Sequence, residues 1–146
     1  MIRRAKKEDS KRIWQIRNHP LNRKQSHNQE EITFDSHDKW FIDKYFKNKD
    51  NYCFVLQENN KVIGYCRFDL DNNAYIVSIA LDPDYHGKGF GSKLLKKSLK
   101  EIKKIKKDAV IFAEVKKENI PSIKLFERCN FCLYKGGEKN LYYKYD

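Results

Sequence analysis

Apolar positions along the 146 residues fall into two rhythms, and the exchange between them orders the chain. A short apolar-basic start, "MIRRA", predicts a first strand, and Ile13, Trp14 and Ile16 give a helical pattern over Glu8 to Arg17. Residues 18–34 lose all periodicity and predict a polar, irregular segment. A second helix is expected from Ser36, with Trp40, Phe41 and Tyr45 on one side. Three strand patterns follow, "NYCFVLQ", "KVIGYCRFDL" and "AYIVSIAL", divided by the turn signals "ENN" and "DNN". Leu94, Leu95, Leu99, Ile102 and Ile105 return at helical spacing, with lysines filling the other positions. The unbroken apolar run "AVIFAEV" predicts a buried strand, residues 119–129 a helix, and "FCLYK" and "NLYYKYD" around Gly-Gly a closing hairpin. The order β α α β β β α β α β β implies an α/β (α+β) fold in a single domain over 1–146.

Charge narrows the reading. A net charge of +11 points to an anionic partner, or to no more than lysine-solvated helix faces. The segment "KLLKKSLKEIKKIKK" fits the second reading in part. A nucleic-acid-binding module is the alternative it keeps open, and "NLYYKYD" is the stretch that has some of the required aromatic and basic character. No apolar run approaches the roughly 18 residues of a membrane span. The N-terminus has no apolar signal region, so a cytoplasmic protein with reduced, buried thiols is expected. Cys129 and Cys132 have a two-residue gap in "CNFC", but no second pair or suitably spaced His goes with them, so no metal is expected.

The chemistry concentrates at "DYHGKGFGSKL", where Gly87, Gly89 and Gly91 alternate between a strand and a helix. A helix N-terminus offers unpaired N–H groups and partial positive charge, and glycine clears the way for a phosphate to reach them. The segment therefore reads as an anion cradle suited to a pyrophosphate. It follows the fourth strand rather than the first and lacks a terminal Gly-Lys-Ser/Thr, so it fits neither a dinucleotide-binding nor a Walker loop.

"VSIALDPDYHGKGFGSKLL" resembles the acetyl-coenzyme A signature of the GNAT superfamily of N-acetyltransferases, Gln/Arg-x-x-Gly-x-Gly/Ala, with His86 in the place of Gln or Arg. "AEVKKENIPSIKLFERCNF" resembles that family's later strand and helix. The resemblance implies a mixed, mainly antiparallel central sheet, splayed between its fourth and fifth strands and flanked by helices. It implies acetyl-CoA as donor, with the main chain of Ile79 and Leu81 facing the pantetheine arm and the Ile79 amide stabilising the oxyanion. His86, Gly87, Lys88, Gly89, Phe90, Gly91 and Ser92 would hold the pyrophosphate. Asn119, Ser122 and Phe126 would line the rest of the coenzyme. Transfer would be direct, with no cysteine nucleophile. Glu114, the one carboxylate inside "AVIFAEV", is the candidate general base. The family's usual tyrosine acid falls at Phe126, which leaves Tyr134, Tyr142, Tyr143 or solvent as donor.

On the acceptor side, "IRNHPLNRKQSHNQEEITFDSHDKWF" resembles the nucleotide-linked amino-sugar acetyltransferases of the pseudaminic-acid pathway. That implies a UDP-linked 4-amino sugar as acceptor, with Arg17, Asn18, Arg23, Lys24 and Trp40 as contacts and Ser26, Asn28 and His37 nearby. A protein N-terminal α-amine is the alternative acceptor. The resemblance also allows a homodimer.

Overall fold

Two Asn-Asn pairs make the first hairpins. Asn59 and Asn60 (φ 50° and 62°) and Asn72 and Asn73 (φ 49° and 69°) take the left-handed conformation that tight two-residue hairpin turns require. In the computed structural model, which describes all of Met1–Asp146, they join β2 (Tyr52–Glu58), β3 (Lys61–Asp71) and β4 (Ala74–Leu81) into a meander. With β1 (Ile2–Arg4), β5 (Ile111–Lys116), β6 (Phe131–Gly136) and β7 (Asn140–Tyr145) these form one seven-stranded sheet, ordered β1-β2-β3-β4-β5-β7-β6. Every neighbouring pair is antiparallel except β4 and β5, which run parallel.

The parallel pair is also the weak seam. Its register covers only Tyr75↔Ile111 and Ile76↔Phe112. Beyond Ile76 the two strands part, as the family resemblance implied, and the C-terminal half of β4 keeps only β3 as a neighbour.

Helices cover both faces. α4 (Phe90–Ile105) and α5 (Ile120–Arg128) pack on one face over the larger core. Leu94, Leu95, Leu99 and Ile102 of α4 are buried there, worth roughly 1.5–3 kcal/mol each. Ile105, expected in the same stripe, is largely exposed at the helix end. α1 (Ser10–Arg17) and α3 (Phe34–Ile42) cover the other face around Ile13, Ile16, Phe41, Val55 and Tyr65. Arg12 of α1 locks onto the end of β4, donating to the Val62 carbonyl at 2.7 Å and pairing with Asp82.

Three expectations need correction. α3 starts at Phe34 rather than Ser36, because the Thr33 hydroxyl accepts from the Ser36 amide and caps the helix. The segment 18–34 contains a short helix, α2 (Pro20–Arg23), capped by the His19 ring. Cysteines 53, 66 and 129 are buried, but Cys132 is exposed on the edge strand β6.

Candidate functional site

Strand parity decides what the seam offers. Tyr75 donates its N–H to Val110 on the β5 side, and Asp82 donates to Ile63 on the β3 side. Ile79 and Leu81 share Tyr75's parity, so their main-chain groups face the side that β5 has left. The Ile79 N–H therefore points into the gap, as an oxyanion donor would have to. The Leu81 carbonyl does not stay free as expected. It accepts from the Asn22 amide at 2.9 Å, and the His86 ring lies 3.3 Å away. Asn22 also donates to Ile16, so α2 bridges the end of α1 to the end of β4.

The glycine segment opens directly beyond Leu81. Gly87 (φ 74°) and Gly89 (φ 83°) are left-handed, and a Cβ built on either would meet nothing within 4 Å. Gly89 is the N-cap residue of α4 and brings no side chain of its own to satisfy the first-turn amides. Those amides, the helix dipole and the open space above them make a cradle that a pyrophosphate fits. His86 and Lys88 are exposed beside it, while Phe90, Gly91 and Ser92 form the first helical turn. Ser122 lies in the first turn of α5, its amide donating to the Asn119 side chain, so Asn119 is a helix cap before it is a ligand. Phe126 is the second correction at this site. It is buried in the core against Phe131 and has no surface to give a coenzyme.

The other face of the sheet holds the remaining candidates. Asp69 pairs with Ile76, and Ile76 with Phe112, so these side chains share the α1/α3 face with Tyr65 and Arg67. Two residues beyond Phe112, Glu114 lies on that face, directly opposite Tyr142 of β7. Its carboxylate is 27% exposed and lies 2.7 Å from His27 Nε2. Hydrogen bonding with Glu114, and then its charge, hold the Tyr142 phenol above its ordinary pKa. Of the other two tyrosines, Tyr143 is buried on the opposite face beside Glu127, and Tyr134 is exposed at the sheet edge, its ring tilted against Phe112.

The same face of the sheet carries a cationic wall around Trp40. Arg17, Arg67 and Lys44 stand 4.1, 5.3 and 5.7 Å from the indole centroid. Asp69 is the one carboxylate among them, paired with Arg67 and 3.4 Å from Lys44, and it accepts from the Tyr45 hydroxyl at 2.6 Å. Burial opposes the Arg67 charge, but Tyr45 and Asp69 outweigh it and hold the guanidinium above its usual value. Arg17 pairs with no carboxylate. Its polar contact is His37 Nδ1 at 3.2 Å, and burial lowers its pKa. The same burial, with the Arg17 charge second, pushes His37 down to about 4, so this imidazole is neutral at pH 7.

The loop candidates divide. Arg17 and Trp40 sit in the wall as expected, and Lys24 is exposed. Asn18 and Arg23 are held by the chain itself. The Asn18 side chain accepts from Ile32 at 2.9 Å, and Arg23 donates to Asn18 and Gln29 carbonyls and pairs with Glu31. They shape the loop rather than present donors to a ligand. Arg67, His27 and Asn22 were not anticipated. Arg67 had a signal, a charge inside the alternating strand "YCRFDL", whereas His27 and Asn22 had none. The three buried cysteines do not suit nucleophilic chemistry, since burial pushes the Cys66 thiol up to about 12 and raises Cys53 and Cys129.

Comparison with known proteins places the chain in a family and matches its fold. Residues 3–131 match the model of the Acetyltransferase (GNAT) family. An N-acetyltransferase from Staphylococcus aureus Mu50 superposes with a TM-score of 0.84 at 29% identity, over 100% of this chain and 97% of that one. A Salmonella typhimurium protein solved with its cofactor acetyl-CoA superposes with a TM-score of 0.82 at 25% identity, over 99% and 91%. The N-alpha-acetyltransferase of Saccharolobus solfataricus is 29% identical over 63% of this chain and 63% of its own length, so the match spans under two thirds of that relative.

Proposed function

We propose an acceptor class for a chain that belongs to the acetyltransferase (GNAT) family, whose members are acetyl-transferring enzymes with acetyl-CoA as donor: a primary amine carried on an anionic molecule. The observation that carries this reading is the wall at Trp40, where three cations share one carboxylate and Arg17 has none of its own. A carboxylate or phosphate on the acceptor would supply the missing charge, and guanidinium groups favour such partners through paired, charge-assisted hydrogen bonds. A cationic polyamine would be repelled. The UDP-linked 4-amino sugar expected from residues 17–40 belongs to this class and is our specific proposal.

The residues divide the work as follows. The amides at the start of α4 hold the pyrophosphate of the donor. The Ile79 N–H stabilises charge that develops on the acyl oxygen. Glu114 takes a proton from the acceptor amine, on the face of the sheet that the cationic wall shares. Tyr142, opposite Glu114, returns a proton to the leaving sulfur, the role that Phe126 cannot fill. The amine attacks directly, without an acyl-enzyme.

A second reading has its own support, since the Saccharolobus solfataricus relative is an N-alpha-acetyltransferase. The test is thiol release from acetyl-CoA with four acceptors: a UDP-4-amino sugar, an alanyl tetrapeptide, spermidine and an aminoglycoside. We expect the UDP-amino sugar to be turned over and Arg17→Ala to raise its KM at least tenfold while the acetyl-CoA KM moves less than twofold. Turnover of the peptide alone, unaffected by Arg17→Ala, would transfer the assignment to protein α-amines.

A further inference from the structure

We propose that His27 is the outlet through which protons leave Glu114 for bulk water. This rests on the reading of Glu114 as the base. The need for an outlet follows from the balance of the reaction. An ammonium acceptor and a thioester become an amide, a thiol and one free proton. As the C–N bond forms and the C–S bond breaks, the nitrogen gives up two protons. One ends on sulfur, the other must reach solvent, and no electrons are exchanged with any third party. The Glu114 side chain is partly covered, and a carboxyl that has taken a proton there must be emptied before the next turnover, which a more exposed neighbour would speed.

Besides Tyr142, the geometry points to one neighbour for that step. His27 Nε2 lies 2.7 Å from Glu114 Oε2, and its side chain is 68% exposed against 27% for the carboxylate. The ring comes from the loop between α2 and α3, and with Gln29 it walls a recess of about 580 Å³ with no hydrophobic lining residue. Water can therefore reach the imidazole through this recess. The other three histidines are placed for other tasks: His19 caps α2, His37 is buried against Arg17, and His86 lies beside the glycine segment.

In the step itself, the neutral Nδ1–H tautomer of His27 accepts the Glu114 proton on Nε2. The imidazolium then releases its Nδ1 proton to water in the recess, and the exposed ring exchanges tautomer through solvent. The charged groups that face the ring are Glu114 from β5 and, around the recess, Lys116, Lys117, Glu118, Glu138 and Lys139. Tyr142 completes the set on β7. Lys116 is tied back at 2.9 Å to the Lys24 carbonyl, which anchors the His27 loop over β5.

The experiment compares His27→Ala, His27→Gln and Glu114→Gln in dilute buffer, with the UDP-4-amino sugar or, if it is not turned over, the alanyl tetrapeptide. A relay predicts a kcat loss of roughly tenfold or more in both His27 variants, by analogy with other lost proton-transfer groups. It also predicts an unchanged acetyl-CoA KM and saturable recovery of His27→Ala by added imidazole. Glutamine can still hydrogen-bond Glu114, so full activity in His27→Gln would reduce the contact to positioning and overturn the relay. A crippled Glu114→Gln beside a fully active, imidazole-insensitive His27→Ala would overturn the relay and leave the base standing. Full activity in Glu114→Gln would remove the base itself. Independently of any acceptor, the His27 ring resonances should shift in the NMR spectrum of Glu114→Gln, and no shift would show that the contact is not made in solution.

Discussion

Gly89 is the residue at which a single added atom separates fold from function. Its φ of 83° and ψ of 0° put it in the left-handed region, where an L-residue costs roughly 1–2 kcal/mol. A Cβ there meets nothing in the protein within 4 Å, so no packing penalty adds to that strain. Gly89→Asn should be nearly silent in stability, because Asn tolerates the region, and yet it sets side-chain atoms over the α4 amides. Gly89→Asp adds a negative charge at the place where a pyrophosphate would sit. One unit of like charge at about 4 Å costs roughly 1 kcal/mol in water and roughly 4 at an effective dielectric of 20. The site is exposed, so the cost falls between these values, a loss of affinity of roughly fivefold to several hundredfold. Calorimetric titration with acetyl-CoA, alongside thermal unfolding, reads both quantities. The expected order of affinity is wild type, then Asn, then Asp, with Asn melting close to wild type. An Asp variant that melts normally and binds acetyl-CoA as tightly as wild type would show that the phosphates lie elsewhere.

Glu114→Gln should lower kcat by roughly 10²–10⁴-fold with little change in acetyl-CoA affinity, read by steady-state thiol release and calorimetry. Tyr142→Phe should lower kcat by at least roughly tenfold while Tyr134→Phe stays within about twofold, and equal effects would remove Tyr142 as the proton donor. His37 gives a pH dependence of stability. Its folded pKa of about 4 lies below the ordinary 6.5, so its contribution is complete above pH 6.5 and is lost as pH falls toward 4. The full shift corresponds to about 3 kcal/mol. Urea unfolding at pH 7 and pH 4.5 should show a pH-dependent loss that His37→Gln reduces.

What the sequence could reveal was what depends on local pattern. Strand alternation, the Asn-Asn turns and the glycine cradle are each written within about ten neighbouring residues. Ile79 was named from the family resemblance, and the parity of β4 in the folded sheet turns its N–H to the side that β5 has left. The polar loop was not legible in the same way. Arg17, Asn18 and Arg23 look alike as polar residues, and only the folded chain separates the guanidinium beside Trp40 from one spent on the Asn18 and Gln29 carbonyls. Phe126 was misplaced for a related reason. Helical position fixes which face a residue occupies, but not whether that face meets the core or a ligand. His27 meets Glu114 across 87 positions of sequence, from a segment with no periodicity to announce it.

The seam between β4 and β5 has a physical logic of its own. A sheet that opens leaves main-chain donors and acceptors without a strand to pair them, and each buried group left unmet costs about 1–3 kcal/mol. This chain closes one side of that deficit itself. Asn22 caps the Leu81 carbonyl and the Ile16 carbonyl together, which removes the outward acceptor at the end of β4. The inward donor, Ile79 N–H, receives no such cap from α2. In the proposed reaction this leaves the Ile79 N–H available to the developing oxyanion. The ammonium, in that proposed reaction, meets its acceptor, Glu114, on the far strand of the same seam. With these proposed roles, donor and acceptor stand on the two strands that parted, so the splay that costs the sheet its pairing would also separate the two charges that the reaction creates.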